Sequence, residues 1–226
     1  TPHGLDNPEH YTTAYELALL TDYALQNDKF AKIVNTKTYT IIINGSPKTI
    51  NNTNELLGTL AGVDGVKTGF TNNAGRCLVT STTRNNWQII TCVLGADTKK
   101  FRTKDSLNLI EYTFKNYELV NIKEIIESEF EKEVKTMEKN IEIEKGMTDD
   151  LSLKLGEIPY SVYPVKKDQI KDIKCNIDII NFIKAPVHKG DIVGNLQFYI
   201  GDKEIFNVDI CVDNEIMKKD VLYYFS

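Results

Sequence analysis

The sequence predicts an α+β fold, in which an antiparallel sheet with packed helices is followed by a smaller all-β, sandwich-like domain. Two observations lead to this prediction. Before about residue 117, two segments with apolar residues at helical spacing flank a set of short strand-like runs. Beyond that point the apolar residues favour every second position, as half-buried strands do. The predicted domains are therefore residues 1–117 and 118–226.

The first predicted helix spans Thr13 to Gln26. It opens with Thr13-x-x-Glu16, a capping-box pattern. One face of this helix carries Ala14, Leu17, Ala18, Thr21 and Leu25 at helical spacing. That face is expected to pack on a sheet.

Hairpins and a second helix complete the first half. Tyr39 to Ile43 and Lys48 to Asn51 flank the turn Asn44-Gly45, which predicts a short hairpin. The strongest strand signals are Val63 to Gly69, Arg76 to Thr83 and Trp87 to Leu94, with Asn85-Asn86 as a tight turn between the last two. Thr103 to Tyr117 then reads as an amphipathic helix.

The second half is predicted to be β-rich. Its alternating runs centre on residues 141–143, 173–179, 196–200 and 208–212, with a turn at Gly201-Asp202 and a loop from Ala185-Pro186 to Gly190-Asp191. The charged segment from Glu118 to Asn140 fits either a helix or an edge strand. We favour a strand, because its apolar residues, spaced four apart from Ile122 to Val134, would suit a twisted ribbon.

Composition excludes several functional classes. The net charge is −5, and no basic stripe interleaved with aromatic residues is present, which argues against a nucleic-acid partner. The three histidines are scattered and the four cysteines form no C-x-x-C pair, so neither a metal nor another cofactor is predicted. Core thiols are the favoured interpretation of the cysteines, and a disulfide between Cys77 and Cys92 is the alternative.

The segment that carries chemistry is Lys67-Thr68-Gly69, at the end of a predicted strand. In serine acyltransferases of the penicillin-binding and class A β-lactamase type, such a tripeptide edges the active site. The lysine offers a cation to a substrate carboxylate, and the threonine hydroxyl can donate to the same group. The glycine lets substrate lie close against the strand. Alone, three common residues also fit a strand end with a solvated lysine.

Ordered matches along nearly the whole chain extend this signal. The sequence resembles the D-alanyl-D-alanine carboxypeptidases, the low-molecular-weight penicillin-binding proteins. The matching stretches are residues 1–5, 10–14, 52–57, 63–69, 74–78, 94–96 and 184–194. The resemblance implies that residues 1–117 are the rear part of a penicillin-binding-protein or β-lactamase-like transpeptidase domain, and that residues 118–226 are its β-rich C-terminal domain.

The resemblance also implies roles for particular residues. Lys67, Thr68 and Gly69 would bind the substrate, with Lys67 also catalytic, and the backbone N–H of Phe70 would form half of an oxyanion hole. Arg102 matches a position near the site and would assist with the substrate carboxylate, although a solvated arginine at a helix start is the equal alternative. No serine in this chain is followed three residues later by a lysine, so the S-x-x-K nucleophile is expected upstream of Thr1.

We therefore expect part of a serine D-alanyl-D-alanine carboxypeptidase. It would act on peptidoglycan stem peptides and bind β-lactam antibiotics outside the cytoplasm, at the outer face of the membrane or in secreted form. Its first partner would be its own N-terminal segment, which would cover the outer edge of Trp87 to Leu94. A non-catalytic peptidoglycan-binding or regulatory protein is the alternative, while a β-lactamase or a Ser-His-Asp site built on His3 or His10 fits less well.

Overall fold

The computed structural model describes residues 3–220, so Thr1 and Pro2 of the opening motif and residues 221–226 lie outside it. The chain divides into two compact units, an N-terminal unit that reaches Lys115 and a C-terminal unit that starts at Asn116. The domain boundary that the sequence predicts, after residue 117, stays a prediction.

The N-terminal unit combines helices with an antiparallel sheet. Its elements are α1 (Ala14–Leu25), α2 (Asp28–Val34), β1 (Thr38–Ile43), β2 (Ser46–Asn51), β3 (Val63–Thr71), β4 (Gly75–Arg84), β5 (Trp87–Ala96) and α3 (Lys99–Asn116). Strands β3, β4 and β5 form a sheet in that order, and β1 pairs with β2 in a separate hairpin. The predicted helices, strands and hairpins of this half are confirmed, with ends that differ by at most four residues.

Local chemistry fixes the ends of several of these elements. The capping box of α1 is present: Thr13 accepts from the backbone N–H of Glu16, and the Glu16 carboxylate accepts from the backbone N–H of Thr13. Helix α2 was not predicted, although Asn27 caps it by accepting from the backbone of Lys29 and Phe30. Asn85 and Asn86 both have positive φ, as a tight turn between β4 and β5 requires.

Two small hydrophobic cores hold the N-terminal unit together. One contains Leu56, Leu57, Val63, Leu78 and Ile110, and the other contains Val34, Val66 and Val79. Adjacent residues of a strand point to opposite faces, so Leu78 and Val79 place these cores on the two sides of the sheet. Helix α3 covers one side, and α1 and α2 cover the other.

The C-terminal unit is rich in short strands. Its elements are β6 (Tyr117–Val120), α4 (Ile122–Asn140), β7 (Glu142–Glu144), β8 (Leu153–Leu155), β9 (Tyr163–Lys166), a 3-10 helix (Lys167–Asp172), β10 (Ile173–Ile179), β11 (Phe182–Lys184), β12 (Ile192–Ile200) and β13 (Lys203–Val212). The main sheet has the order β10-β12-β13-β8, and β6-β9 and β7-β11 form two-stranded sheets. The predicted β-rich C-terminal domain is confirmed, and the Gly201 turn joins β12 to β13.

The strand predicted between Glu118 and Asn140 is wrong for most of that segment, because residues 122–140 form helix α4. Asn121 caps the helix by accepting from the backbone N–H of Glu124. Ile122, Ile126 and Phe130 are buried and lie four residues apart, a spacing that keeps them on one helical face. A strand would bury every second residue, and here those positions include Glu124 and Ser128.

Candidate active site

The Lys67-Thr68-Gly69 tripeptide lies on β3, at an edge of the three-stranded sheet. Along β3 the burial changes: Gly65 and Val66 are buried, whereas Lys67, Gly69 and Phe70 are exposed. An edge strand turns alternate N–H and C=O groups away from its neighbour. The second half of β3 can therefore accept an extended peptide along this edge.

A polar loop before β3 fixes the strand in place. The side-chain amide of Asn54, which is buried, donates to the Gly65 carbonyl at 2.8 Å. The amide of Asn52 donates to the carbonyls of Val34 and Thr36 at the end of α2, both at 3.2 Å. Loop, helix end and strand are thus tied together directly beside the tripeptide.

Lys67 presents its side chain at the surface of the strand. Its ammonium group donates to the backbone carbonyl of Thr68 at 2.7 Å, and the residue is exposed. Because an ammonium has three donors, two remain for a ligand or for groups of another segment. The geometry is compatible with binding an anion next to Thr68.

The Thr68 hydroxyl has a partner that the sequence did not reveal. It lies 2.6 Å from the hydroxyl of Thr53, which belongs to the loop between the two asparagines described above. This distance is at the short end for a hydrogen bond between hydroxyls. The signals in the sequence were the polar run Asn52-Thr53-Asn54 and its place in the matching stretch 52–57, and neither gave Thr53 a role.

Gly69 and Phe70 shape the end of the exposed edge. A Cβ added at Gly69 would meet the Cβ of Cys77 at 3.5 Å, an ordinary contact, so packing alone does not demand glycine there. The Phe70 ring is half exposed, and the Arg76 guanidinium lies 3.4 Å from the ring centroid, across the strand pair. This cation–π pair gives the Phe70 side chain a structural role that the sequence had left unexplained.

A cleft of about 870 Å³ adjoins the tripeptide. Its lining includes Gly69, Phe70 and Thr71 of β3, residues of β4 and β5 such as Cys77 and Leu94, and most of the segment from Gly4 to Thr12. The volume is within the range of small-molecule and peptide sites. Of the tripeptide, Gly69 lines this cleft, while Lys67 and Thr68 come directly before it on β3.

Arg102 is placed differently from the exposed residues of β3. It lies in α3, is only 3% exposed, and pairs with the Glu55 carboxylate at 3.7 Å. Thr103 donates to the same carboxylate at 2.6 Å. Within residues 3–220, the Nε of Arg102 has no hydrogen-bond partner. Arg102 thus supports the loop that carries Thr53, through Glu55.

Other chemistries find no comparable support in the described part of the chain. Residues 3–220 contain no group of three His, Cys, Asp or Glu side chains placed to hold a metal. The four cysteines are not joined by disulfides, and burial raises the pKa of Cys92. Nδ1 of His3 accepts from the Leu5 backbone in a local turn. In the same range, no helix combines the length and apolar character needed to cross a membrane.

Comparisons with known families match both units. The family model described as "D-alanyl-D-alanine carboxypeptidase" matches residues 1–98, and that described as "Penicillin-binding protein 5, C-terminal domain" matches residues 122–218. Among curated relatives, DacA of Haemophilus influenzae is 29% identical and DacF of Bacillus subtilis 31% identical, each over 96% of this chain. The chain covers 52% and 54% of those two proteins, about half their length.

Solved structures agree in fold. Penicillin-binding protein 5 of Haemophilus influenzae matches 96% of this chain and 60% of its own, with a TM-score of 0.68 and 27% identity. The carboxypeptidase DacD of Francisella tularensis matches 96% of this chain and 63% of its own, with a TM-score of 0.67 and 22% identity, which bears on the fold alone.

Proposed function

Because the chain belongs to the D-alanyl-D-alanine carboxypeptidase family, we propose that it is part of a serine enzyme that removes the terminal D-Ala from peptidoglycan stem pentapeptides. Residues 1–117 would be the C-terminal part of its catalytic domain, and residues 118–226 its β-rich C-terminal domain. The nucleophilic serine would lie on an upstream segment, since this sequence contains no S-x-x-K.

One observation carries the proposal. A cation and an ordered hydroxyl, from Lys67 and Thr68, sit on an open strand edge directly before Gly69, which lines a cleft of about 870 Å³. A peptide that ends in a carboxylate can pair its backbone with the strand while its charge meets these two donors. This is the recognition that cleavage next to a free C-terminus requires.

Each residue of the site has a role in the proposed reaction. Lys67 and Thr68 bind the terminal carboxylate, and Gly69 lets the peptide approach β3. The upstream serine attacks the carbonyl of the scissile bond, and water then hydrolyses the acyl-enzyme. The Lys67 ammonium also disfavours protonation of the upstream lysine, which keeps that lysine available as a base. The Phe70 N–H donates to the oxyanion.

The proposed role of Arg102 in binding the carboxylate has a structural condition. The Arg102 guanidinium is buried and pairs with Glu55. Arg102 must therefore break this ion pair before it can bind the carboxylate of the substrate. In the described arrangement Arg102 acts on the site through the position of Glu55. A direct contact with the substrate requires a shift of the Glu55 side chain.

The upstream segment is the proposed first partner of this chain. Exposed apolar residues of α1, among them Leu19, Leu20 and Tyr23, offer it a surface, as does the free edge of β5. β-Lactam antibiotics would acylate the assembled site. We also propose an extracytoplasmic location, at the outer face of the membrane or in secreted form, because stem peptides belong to the cell wall.

Labelling with a fluorescent penicillin tests the proposal. We expect the full-length protein to form a covalent adduct on the upstream serine. Lys67→Ala should slow this acylation about 10²- to 10³-fold, because it removes charge stabilisation at the site. Lys48→Ala, which removes an exposed lysine of β2, is the matched control and should leave the rate unchanged.

The same experiment separates the second candidate function. A full-length protein that binds stem peptides but takes up no label at saturating drug would be a non-catalytic peptidoglycan-binding protein. That result would overturn the enzyme proposal and leave the carboxylate-binding edge of β3 in place.

A further inference from the structure

The hydroxyl pair of Thr53 and Thr68 contributes little to the stability of the fold. Thr53 is exposed, and a hydrogen bond at an exposed position can be replaced by one to water at little cost. Yet the two oxygens lie only 2.6 Å apart, across fifteen residues of chain. The contact joins the loop before β3 to the hydroxyl of the tripeptide.

The loop is rigid without this contact. Asn54 anchors its far side to the Gly65 carbonyl of β3 at 2.8 Å, and its own Oδ1 accepts from the backbone of Leu56 at 3.1 Å. Asn52 anchors the near side to the end of α2. Thr53 stands between two fixed points, so its hydroxyl is held in place relative to Thr68 at no further entropic cost.

We propose that Thr53 is a positioning residue for the carboxylate donor of the site, an inference that rests on the proposed function. When an anion lies beside Thr68, the Thr53 hydroxyl donates to Oγ1 of Thr68, and the Thr68 hydroxyl donates to the carboxylate. A hydroxyl that accepts one hydrogen bond becomes a stronger donor of the next. Thr53 also removes the rotational freedom of the Thr68 hydroxyl, so that its proton is directed at the ligand.

The neighbouring groups of the site leave the hydrogen bond from Thr53 to Thr68 undisturbed. Lys67 donates to the Thr68 carbonyl, not to its hydroxyl, so the ammonium does not compete with Thr53 for Oγ1. Arg102 and Thr103 both hold the Glu55 carboxylate, two residues beyond Thr53, and so support the same loop from α3. Carboxylate recognition then extends beyond the tripeptide to the loop before β3.

A double-mutant cycle in the full-length protein tests this role. The measured quantity is the second-order rate of acylation by benzylpenicillin, which carries a carboxylate. We expect Thr53→Val to lower this rate about 3- to 10-fold, the worth of one ordinary hydrogen bond, and Thr53→Ser to restore it. In a Thr68→Val background, Thr53→Val should cause no further loss, because its target is already absent.

A structural role would give a different pattern. If Thr53→Val lowers the rate equally with and without the Thr68 hydroxyl, or if Thr53→Ser fails to restore it, the positioning role is wrong. Equal melting temperatures of wild type and Thr53→Val would show that folding is intact. Thr49→Val, which removes an exposed hydroxyl that pairs with Thr40 at 3.1 Å on the β1–β2 hairpin, is the matched control and should not change the rate.

A second readout separates this proposal from the enzyme proposal. The dissociation constant of an N-acylated D-Ala-D-Ala peptide can be measured without any acylation. If the wild type is not acylated but Thr53→Val still weakens peptide binding, the enzyme proposal fails and the positioning role stands. If the wild type is acylated and Thr53→Val changes neither the acylation rate nor the dissociation constant of the peptide, the enzyme proposal stands and the positioning role fails. A wild type that neither binds the peptide nor takes up label overturns both.

Discussion

The two units differ in how completely each covers its own apolar side chains. The C-terminal unit has one continuous core, which joins buried residues of α4 to those of β8, β12 and β13. The N-terminal unit has two small cores and leaves Tyr15, Leu19, Leu20 and Tyr23 of α1 exposed. Helix α1 is thus apolar on the face that meets the sheet and also on the face that meets solvent.

The unit with the exposed apolar helix is also the unit that carries the candidate active site. The exposed face of α1 carries Glu16 and Asp22 as well, but its four large apolar side chains form a patch of the kind that marks an interaction surface. The exposed apolar face of α1 and the residues Lys67 and Thr68 belong to the same unit. This apolar face is the surface that the proposed upstream segment would cover.

The largest expected effect comes from separating the units. Expressed alone, residues 116–226 should unfold in one cooperative transition, because their core is closed. Residues 1–115 alone should aggregate or bind a hydrophobic dye, because α1 and the β5 edge are open. Size-exclusion chromatography and denaturant unfolding followed by circular dichroism measure both outcomes.

The control for this separation is the N-terminal unit with its natural upstream sequence attached. We expect that longer fragment to be monomeric and soluble. A monomeric, cooperatively folding 1–115 fragment would contradict the comparison, since the unit would then need no cover.

Two substitutions by alanine, one of a buried and one of an exposed apolar residue, test the difference between the two units. Phe198 of β12 is fully buried and stacks on Phe206, with ring centroids 5.2 Å apart. Phe198→Ala should lower the free energy of unfolding by about 3–5 kcal/mol, because it leaves a cavity. In residues 1–226, Leu20→Ala should change it by less than about 0.5 kcal/mol, since Leu20 is exposed.

The same Leu20 variant gives the sharper test in the full-length protein. There, Leu20→Ala should cost about 2 kcal/mol or more, because the proposed upstream segment would bury the side chain. Urea unfolding of the two lengths side by side gives the comparison. An equal and negligible effect in both lengths would mean that α1 stays exposed in the whole protein.

The smallest expected effect is a dependence on pH in the C-terminal unit. Hydrogen bonds from Lys189, at 3.0 Å, and Lys154, at 3.1 Å, hold the pKa of Asp213 below its usual value. The folded state therefore binds its proton less readily than the unfolded state, and the stabilisation is present at neutral pH and lost as the pH falls below about 4. Asp213→Asn should be slightly less stable at pH 7, with a difference from wild type that shrinks towards pH 3.

The control for this variant is Asp149→Asn, an exposed residue with the same change in net charge. It should show no comparable pH-dependent difference in melting temperature. A constant destabilisation of Asp213→Asn from pH 7 to pH 3 would show that packing, not the ion pairs, accounts for its effect.

Much of the fold could be predicted because its signals are local. A capping box places Thr13 next to Glu16, and the turn at Asn85-Asn86 needs only the positive φ that asparagine tolerates. The segment that became α4 was misread although its own pattern favoured a helix, because apolar residues four apart fit a helical face and not a strand. Helix α2 was missed because seven residues carry too little periodicity to stand out.

The sequence by itself determined the tripeptide of the site and the turns, which depend on residues adjacent in the chain, and the family resemblance, which depends on the order of short motifs along it. The tertiary structure alone decided that Thr53 meets Thr68, that Arg102 pairs with Glu55 and that one face of α1 is exposed within residues 3–220. Arg102 and Glu55 lie on separate elements, and their contact exists only because α3 and the loop before β3 pack together. The pattern of the sequence says which residues prefer to be buried, and only the packed chain shows which of them find a partner.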